Sequence, residues 1–265
     1  MNKQKYSPQI KTALTSLLLA PAISSGVVIY SETFDGTDGS VSSLNGVSIG
    51  AETWSTNGFA TDNGVLQTGQ FEGSAVLPFI PAVNTTYTLS LDVISSSNRW
   101  VGLGFASSAT TSEIANRPQD RFAQNDVAGR SWFIFRPIAN SIAEEAQIFG
   151  GPTTSNGIAD TDLNFDETFT GVRTLSIILD TTGDGSSYQA DYLIDGVSLL
   201  PSGPATINAN LSTIAGVGFT FEGPTGGATT PITVDNFLLE QTVPEPSTAL
   251  LGALGALGLM RRRRA

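Results

Sequence analysis

From Tyr87 to Val93 the chain alternates without a break: Tyr87, Leu89, Leu91 and Val93 fall on one side, Thr88, Ser90 and Asp92 on the other. A period of two is the repeat of a strand with one buried face, and a helix does not present it. Segments of the same kind recur at 27–34, 99–106, 131–136, 172–180, 188–194, 197–200, 215–221 and 232–240, with Gly, Ser, Thr and Asn filling the gaps. Asp195-Gly196 joins two of them. A two-residue type I′ turn needs positive φ at both central positions, and Asp-Gly supplies it. Outside the two ends, only 111–116 reads as a short turn of helix. No internal repeat is evident, which favours a sandwich over a propeller. The expected architecture is all-β and antiparallel.

The two ends differ in kind from this middle. Lys3, Lys5 and Lys11 precede a mostly apolar run, 13–22, that closes on Ala20-Pro21-Ala22. Small residues at those two alanine positions are what a signal peptidase reads, so residues 1–26 are expected to form a signal helix, cut after Ala22 with Gly26 as the alternative. At the other end Val243-Pro244-Glu245-Pro246 leads into an uncharged run, 248–260, then Arg261, Arg262, Arg263 and Arg264. Two prolines fix φ and remove donors, so that approach is stiff and extended. The apolar run would rise only about 20 Å as a helix, short of a hydrocarbon core of about 30 Å. Snorkelling arginines and local thinning cover such a mismatch. Four arginines in a row act as a cytoplasmic stop. Gly252, Gly255 and Gly258 add a small-residue stripe suited to close helix approach in a membrane. The expected organisation is therefore 1–26 signal, 27–241 sandwich domain and 242–265 tail with a short membrane helix.

Charge follows the same division. All three lysines lie in the signal and four of the ten arginines in the tail. The remaining six arginines face 23 acidic residues, a formal charge of −17 between the ends. A surface of that sign repels nucleic acid and anionic membranes, and attracts divalent cations. The chain has no cysteine and no histidine. That rules out disulfides, thiol catalysis, Cys/His zinc sites and a Ser-His-Asp triad. A domain of this length buries an adequate core without them.

The tail resembles the PEP-CTERM sorting signal of Gram-negative bacteria, with Pro244, Glu245 and Pro246 as its motif. The resemblance implies that an exosortase recognises the motif and removes the anchor after a signal peptidase has cut the N-terminus. It implies export, a transient stay at the inner membrane and delivery to the cell surface or extracellular matrix. A second resemblance covers about 170–240. Leu175-Ser-Ile-Ile-Leu-Asp-Thr-Thr-Gly-Asp-Gly185, Tyr192-Leu-Ile-Asp-Gly196, Val217-Gly-Phe219 and Val234-Asp-Asn-Phe237 look like the second half of a concanavalin A-like or laminin G-like jelly roll. Members of that fold bind glycans, cleave them or serve as adhesive modules, and the fold does not choose among these.

Candidate chemistry is sparse. The jelly-roll glucanases carry Glu-x-Asp-x-x-Glu along one strand, and no segment here matches it. Glu144-Glu145 and Asp166-Glu167 are neighbours, so on strands they would point to opposite faces rather than into one cleft. No catalytic residue is assigned and the chain is expected not to be an enzyme; a divergent glycanase or lyase, or a surface protein without a specific ligand, is the alternative. Asp180-Thr-Thr-Gly-Asp184-Gly185, with Asp191 at the twelfth position, follows half of an EF-hand loop, but strands flank it. Jelly-roll carbohydrate modules often hold a structural calcium between their first and last strands, which here implies Glu32, Asp35 and Asp235 as oxygen ligands. On 99–106 and 130–136 one face is apolar, while the other carries Trp100 and Trp132 with Arg130 and Arg136. Flat indoles beside arginines suit stacking on sugar rings and hydrogen bonding to hydroxyls or uronates. The competing expectation is that both indoles pack beneath loops or in a second layer of core. The long segment 107–129, with Arg117, Asp120, Arg121 and Asp126, is expected to border that face. Asn84-Thr-Thr86 and Asn210-Leu-Ser212 fit the glycosylation pattern and are read as chance.

Overall fold

The computed structural model describes residues 26–35, 44, 46–57, 59–62, 64–68, 73–94, 100–108, 129–136, 144–150, 163–165, 171–221 and 232–242. The chain divides into two units, Ser25–Pro244 and the terminal stretches Met1–Ser24 with Glu245–Ala265. All described residues belong to the first. The expected signal helix, membrane helix and helical turn at 111–116 lie outside them, as does the stretch that holds Arg117, Asp120, Arg121 and Asp126. Among the described residues no helix is long and apolar enough to cross a membrane.

Among the described residues, eighteen strands follow one another. The chain opens with β1 (Val27–Glu32), then the short pieces β2 (Ser48–Ile49), β3 (Glu52–Thr53), β4 (Ser55–Asn57), β5 (Phe59–Asp62) and β6 (Val65–Thr68). Longer strands follow: β7 (Gly73–Pro78), β8 (Thr86–Val93), β9 (Val101–Ala106), β10 (Gly129–Arg136) and β11 (Glu144–Gly150). The rest are β12 (Leu163–Phe165), β13 (Arg173–Asp180), β14 (Tyr188–Ile194), β15 (Val197–Ser198), β16 (Ala205–Ile207), β17 (Gly216–Phe221) and β18 (Thr233–Thr242). One 3-10 turn, Leu211–Thr213, is capped by the Asn210 side chain.

Sixteen of these strands build two facing sheets, and β2 and β3 pair in a separate two-stranded one. One runs β15-β14-β13-β8-β18-β6-β5, with β1 on β18 and β16 on β14; the other runs β12-β11-β10-β9-β17-β7-β4. The described ladders are antiparallel. Consecutive strands cross between sheets: β7, β8 and β9 alternate, and so do β16, β17 and β18. The molecule is thus an all-β sandwich. Its core is what the period of two dictates. Leu89, Leu91 and Val93 of β8, and Leu175, Ile177 and Leu179 of β13, meet Leu103, Phe105, Phe133, Phe135, Val217 and Phe219 of the facing sheet. Trp54, Phe219 and Phe237 stack edge-on at 5.0–5.7 Å between centroids. Ser131 and Tyr192 share a buried 2.8 Å hydrogen bond across the sheets, and burial pushes the Tyr192 hydroxyl far above its ordinary pKa.

Each segment expected from alternation is a strand, with ends shifted by a residue or two. The Asp195-Gly196 turn holds φ of 51° and 76°, as a type I′ hairpin requires. Six strands from β2 to β7, together with β11, β12 and β16, were not individually expected. Most are short pieces whose pairing, rather than local pattern, makes them strands.

Register defines two poles. At one, Val27 lies opposite Gln241, Thr242 opposite Thr86, and Thr86 opposite Asp180. The connection 79–85 passes between sheets here, with Phe79 N–H donating to the Ala215 carbonyl at 3.0 Å. At the other pole, Val93 pairs with Arg173 and Val234, and β9 begins after Trp100.

Candidate functional site

The outward face of the seven-stranded sheet carries Trp100, Trp132 and Arg136. Parity holds: Phe133 and Phe135 enter the main core, while Trp132 and Ile134 join Val76 and Ala106 in a second apolar cluster on the other side. Trp132 is 3% exposed, so its ring is not the open platform that the strand pattern suggested. The neighbouring glycines explain why. Gly104 lies opposite both Trp132 and Gly218. A Cβ on Gly104 would fall 2.2 Å from Trp132 Cβ. The missing side chains let bulky neighbours settle into the face instead of standing above it. Of the two expectations, the second layer of core describes Trp132.

Trp100 differs. It is half-buried at the edge of that cluster, and the Arg136 guanidinium sits over its ring, 4.6 Å from the centroid. Such a cation–π contact is worth about 0.5–1 kcal/mol at an exposed site. It also holds the planar fork of Arg136 against the aromatic edge. Both groups stand at the pole away from the chain ends, since Phe135 pairs with Val101 at the start of β9. Arg130 lies on β10, and its side chain is outside the described residues.

The acids of the first and last strands share that same pole, on the other sheet. Glu32 turns back to accept the Phe34 N–H at 3.0 Å, and Asp35 accepts from the Thr33 hydroxyl at 2.7 Å. Asp235 pairs across the ladder with Asp92. A residue unseen in the sequence thus enters the group, because only the order β8-β18 brings it there. Asn236 bridges by donating its side-chain amide to Asp92 at 2.9 Å, and Thr174 donates to the same carboxylate at 2.6 Å. Burial first, then the charges of Asp35 and Asp92, push the Asp235 carboxyl above its ordinary value, and its bond from the Asn236 N–H partly offsets this. Both neighbouring carboxylates thus act on Asp235 as charges. Even so, among the described residues no three acidic side chains are grouped so as to hold a metal ion. Glu32, Asp35 and Asp235 as they stand are therefore not an assembled ligand set. Phe34 and Asn236, beside two of these acids, hold positive φ of 51° and 50°, uncommon for an asparagine and an outlier for a bulky aromatic.

The hairpin acids are occupied by their own turn. Asp180 accepts from the Thr182 N–H and hydroxyl, and Asp184 from the Ser186 N–H and hydroxyl. The Ser186 hydroxyl, with its N–H second, holds the Asp184 carboxyl below its ordinary pKa. Asp191 accepts from Ser198, so the EF-hand-like spacing is here a hairpin with local side-chain bonds. Glu144 and Glu145 are successive residues of β11, and Asp166-Glu167 lies outside the described residues.

Residues 242–264 match the family model described as the PEP-CTERM protein-sorting motif. The chain therefore carries that sorting motif, which includes Pro244, Glu245 and Pro246. A search of the curated proteins finds no match. Among solved structures, a lectin from Bauhinia forficata crystallised with GalNAc is similar at 15% identity and a TM-score of 0.48, covering 83% of this chain and 99% of that one. Arcelin-5, a lectin-like defence protein from Phaseolus vulgaris, is similar at 12% identity and 0.48, covering 83% and 99%. An alginate lyase in complex with an alginate tetrasaccharide is similar at 14% and 0.42, covering 71% and 86%.

Proposed function

We propose that this is an exported protein, sorted to the cell envelope or matrix by its PEP-CTERM tail, whose jelly-roll sandwich binds glycans without catalysis. The signal peptidase and the exosortase are its partners during export. The single observation behind the binding half is the Arg136 guanidinium seated over the half-buried Trp100 ring. The pair offers an aromatic edge for a sugar face and a fork of donors for hydroxyls or a carboxylate. Trp132 supports them from below as floor, and Arg130 belongs to the same strand. A glycan-array screen of residues 27–242 tests this. Retention of acidic or neutral polysaccharide is the expected result, and an array with no retained glycan removes the reading.

Structural calcium belongs to the same proposal. The charges of Asp35 and Asp92 act on Asp235, and a divalent cation would have to draw these carboxylates together to take them as the oxygen ligands it prefers. Glu32, spent on the Phe34 N–H, stands aside from the set.

A further inference from the structure

The last strand ends at Thr242, five residues before the apolar run that opens at Thr248. Five fully extended residues reach at most about 17 Å. The headgroup layer itself takes about 5–8 Å of that on one side of a bilayer. The first strand starts at Val27, four residues after the expected cut at Ala22, a reach of about 14 Å. Because Val27 pairs with Gln241, both ends leave the sandwich at one pole, and the C-terminal one is the short tether. The opposite pole lies a strand length away, about 26 Å for the eight residues of β8.

That same pole carries an unusual share of uncovered apolar surface. Seven large apolar side chains are exposed among the described residues, and four of them are here: Val27, Val28, Ile80 and Val83. Ile80, at 80% exposure, is the barest of the seven. The 79–85 connection that presents Ile80 and Val83 is held rigidly. Asn84 N–H donates to the Thr181 carbonyl at 2.9 Å, the Thr181 hydroxyl reaches the Ala82 carbonyl at 2.7 Å, and Ala82 N–H donates to the Tyr87 hydroxyl at 2.7 Å. The acids nearby, Asp180 and Asp184, favour a zwitterionic over an anionic surface.

We infer that this pole is a membrane-docking surface: Val27, Val28, Ile80 and Val83 rest on zwitterionic lipid while the tail is attached. The inference rests on the sorting-tail reading. Aliphatic side chains with a tether too short to lift the domain clear suit a lipid surface, which asks for no specific geometry. Docked this way, the sandwich points Trp100 and Arg136 away from the bilayer.

The chain has no cysteine, so one introduced thiol takes a label uniquely. Full-length Ile80→Cys and, as the opposite-pole control, Val197→Cys are labelled with an environment-sensitive fluorophore and reconstituted in phosphatidylcholine vesicles. Val197 is also exposed, and it pairs beside Ile194 at the far end. Expected is a blue shift at position 80 with several-fold stronger quenching by a shallow spin-labelled lipid than at position 197. Equal quenching at both positions overturns the inference. So does shielding at position 80 that appears only in native membranes, because that identifies a protein contact such as the processing enzyme. Failure of the full-length chain to float with vesicles overturns the tail reading, and the docking surface falls with it.

Discussion

Asp235 shows how a single side chain links pH and fold. Its folded pKa is raised by burial and by the charges of Asp35 and Asp92. A raised carboxyl disfavours the charged form in the native state. The group therefore costs stability at neutral pH, and that cost lifts as pH falls through the raised value toward the ordinary one. Asp235→Asn should then raise Tm at neutral pH in chelator, by about 1–2 °C, since a surface change of about 0.5 kcal/mol moves a domain of this size that far. If calcium binds as proposed, the sign reverses. Native protein at a hundredfold Kd gains about 2.7 kcal/mol, and the variant loses that gain. Thermal melts of both proteins in chelator and in calcium check the pair of effects. A native Tm indifferent to calcium removes the ion, while a variant less stable in chelator removes the repulsion.

Among the elements, β17 fits against β7 and the end of β9 by what it lacks. A Cβ on Gly218 would lie 2.0 Å from the Ala75 carbonyl oxygen, and one on Gly216 would lie 2.2 Å from the Ser108 carbonyl oxygen. Neither obstacle is a flexible side chain, so the ladder itself must shift. Gly218→Ala should cost about 1–3 kcal/mol, as overpacking does, and lower Tm by at least about 2 °C. Gly171→Ala, which meets nothing within 4 Å, should leave Tm nearly unchanged. Denaturation of the two variants side by side makes the comparison. The same strands mark what a sequence can tell. Alternation along β8 and β13 matches their buried and half-buried residues position by position, because a core face is written every second residue. What covers the other face is not written locally. The parity of Trp132 was legible and its burial was one of two expectations, but the choice between them was not, because it depends on Gly104 from the next strand and on Val76, two strands beyond β9. Asp92 was illegible as a neighbour of Asp235 for the same reason: the pairing of β8 with β18 is a long-range fact. The short strands β2 to β6 lack enough residues to display a period at all.

At the scale of the sandwich, its two poles carry different groups. Both chain ends leave from one; Trp100, Arg136 and the Asp35, Asp92 and Asp235 carboxylates occupy the other. Sorting should end with loss of the arginine cluster. Intact-mass analysis of the surface form from the native host should find Arg261 to Arg264 gone, and recovery of the complete tail would contradict processing. The central claim is that the pole away from the chain ends binds glycan through the Arg136–Trp100 pair. Its most direct test uses residues 27–242 and a polysaccharide retained in the array. An aromatic contact beyond area burial is worth about 0.5–1.5 kcal/mol, so Trp100→Ala should weaken affinity roughly 2- to 12-fold, and Arg136→Ala should weaken it too. Trp132→Ala, removing a buried indole, should instead cost about 3–5 kcal/mol of stability. Affinity per folded molecule, measured by calorimetry beside the melting curve of each variant, separates these effects. The expected result is weaker binding for Trp100→Ala and Arg136→Ala with the fold retained. Unchanged affinity in both variants would contradict the claim.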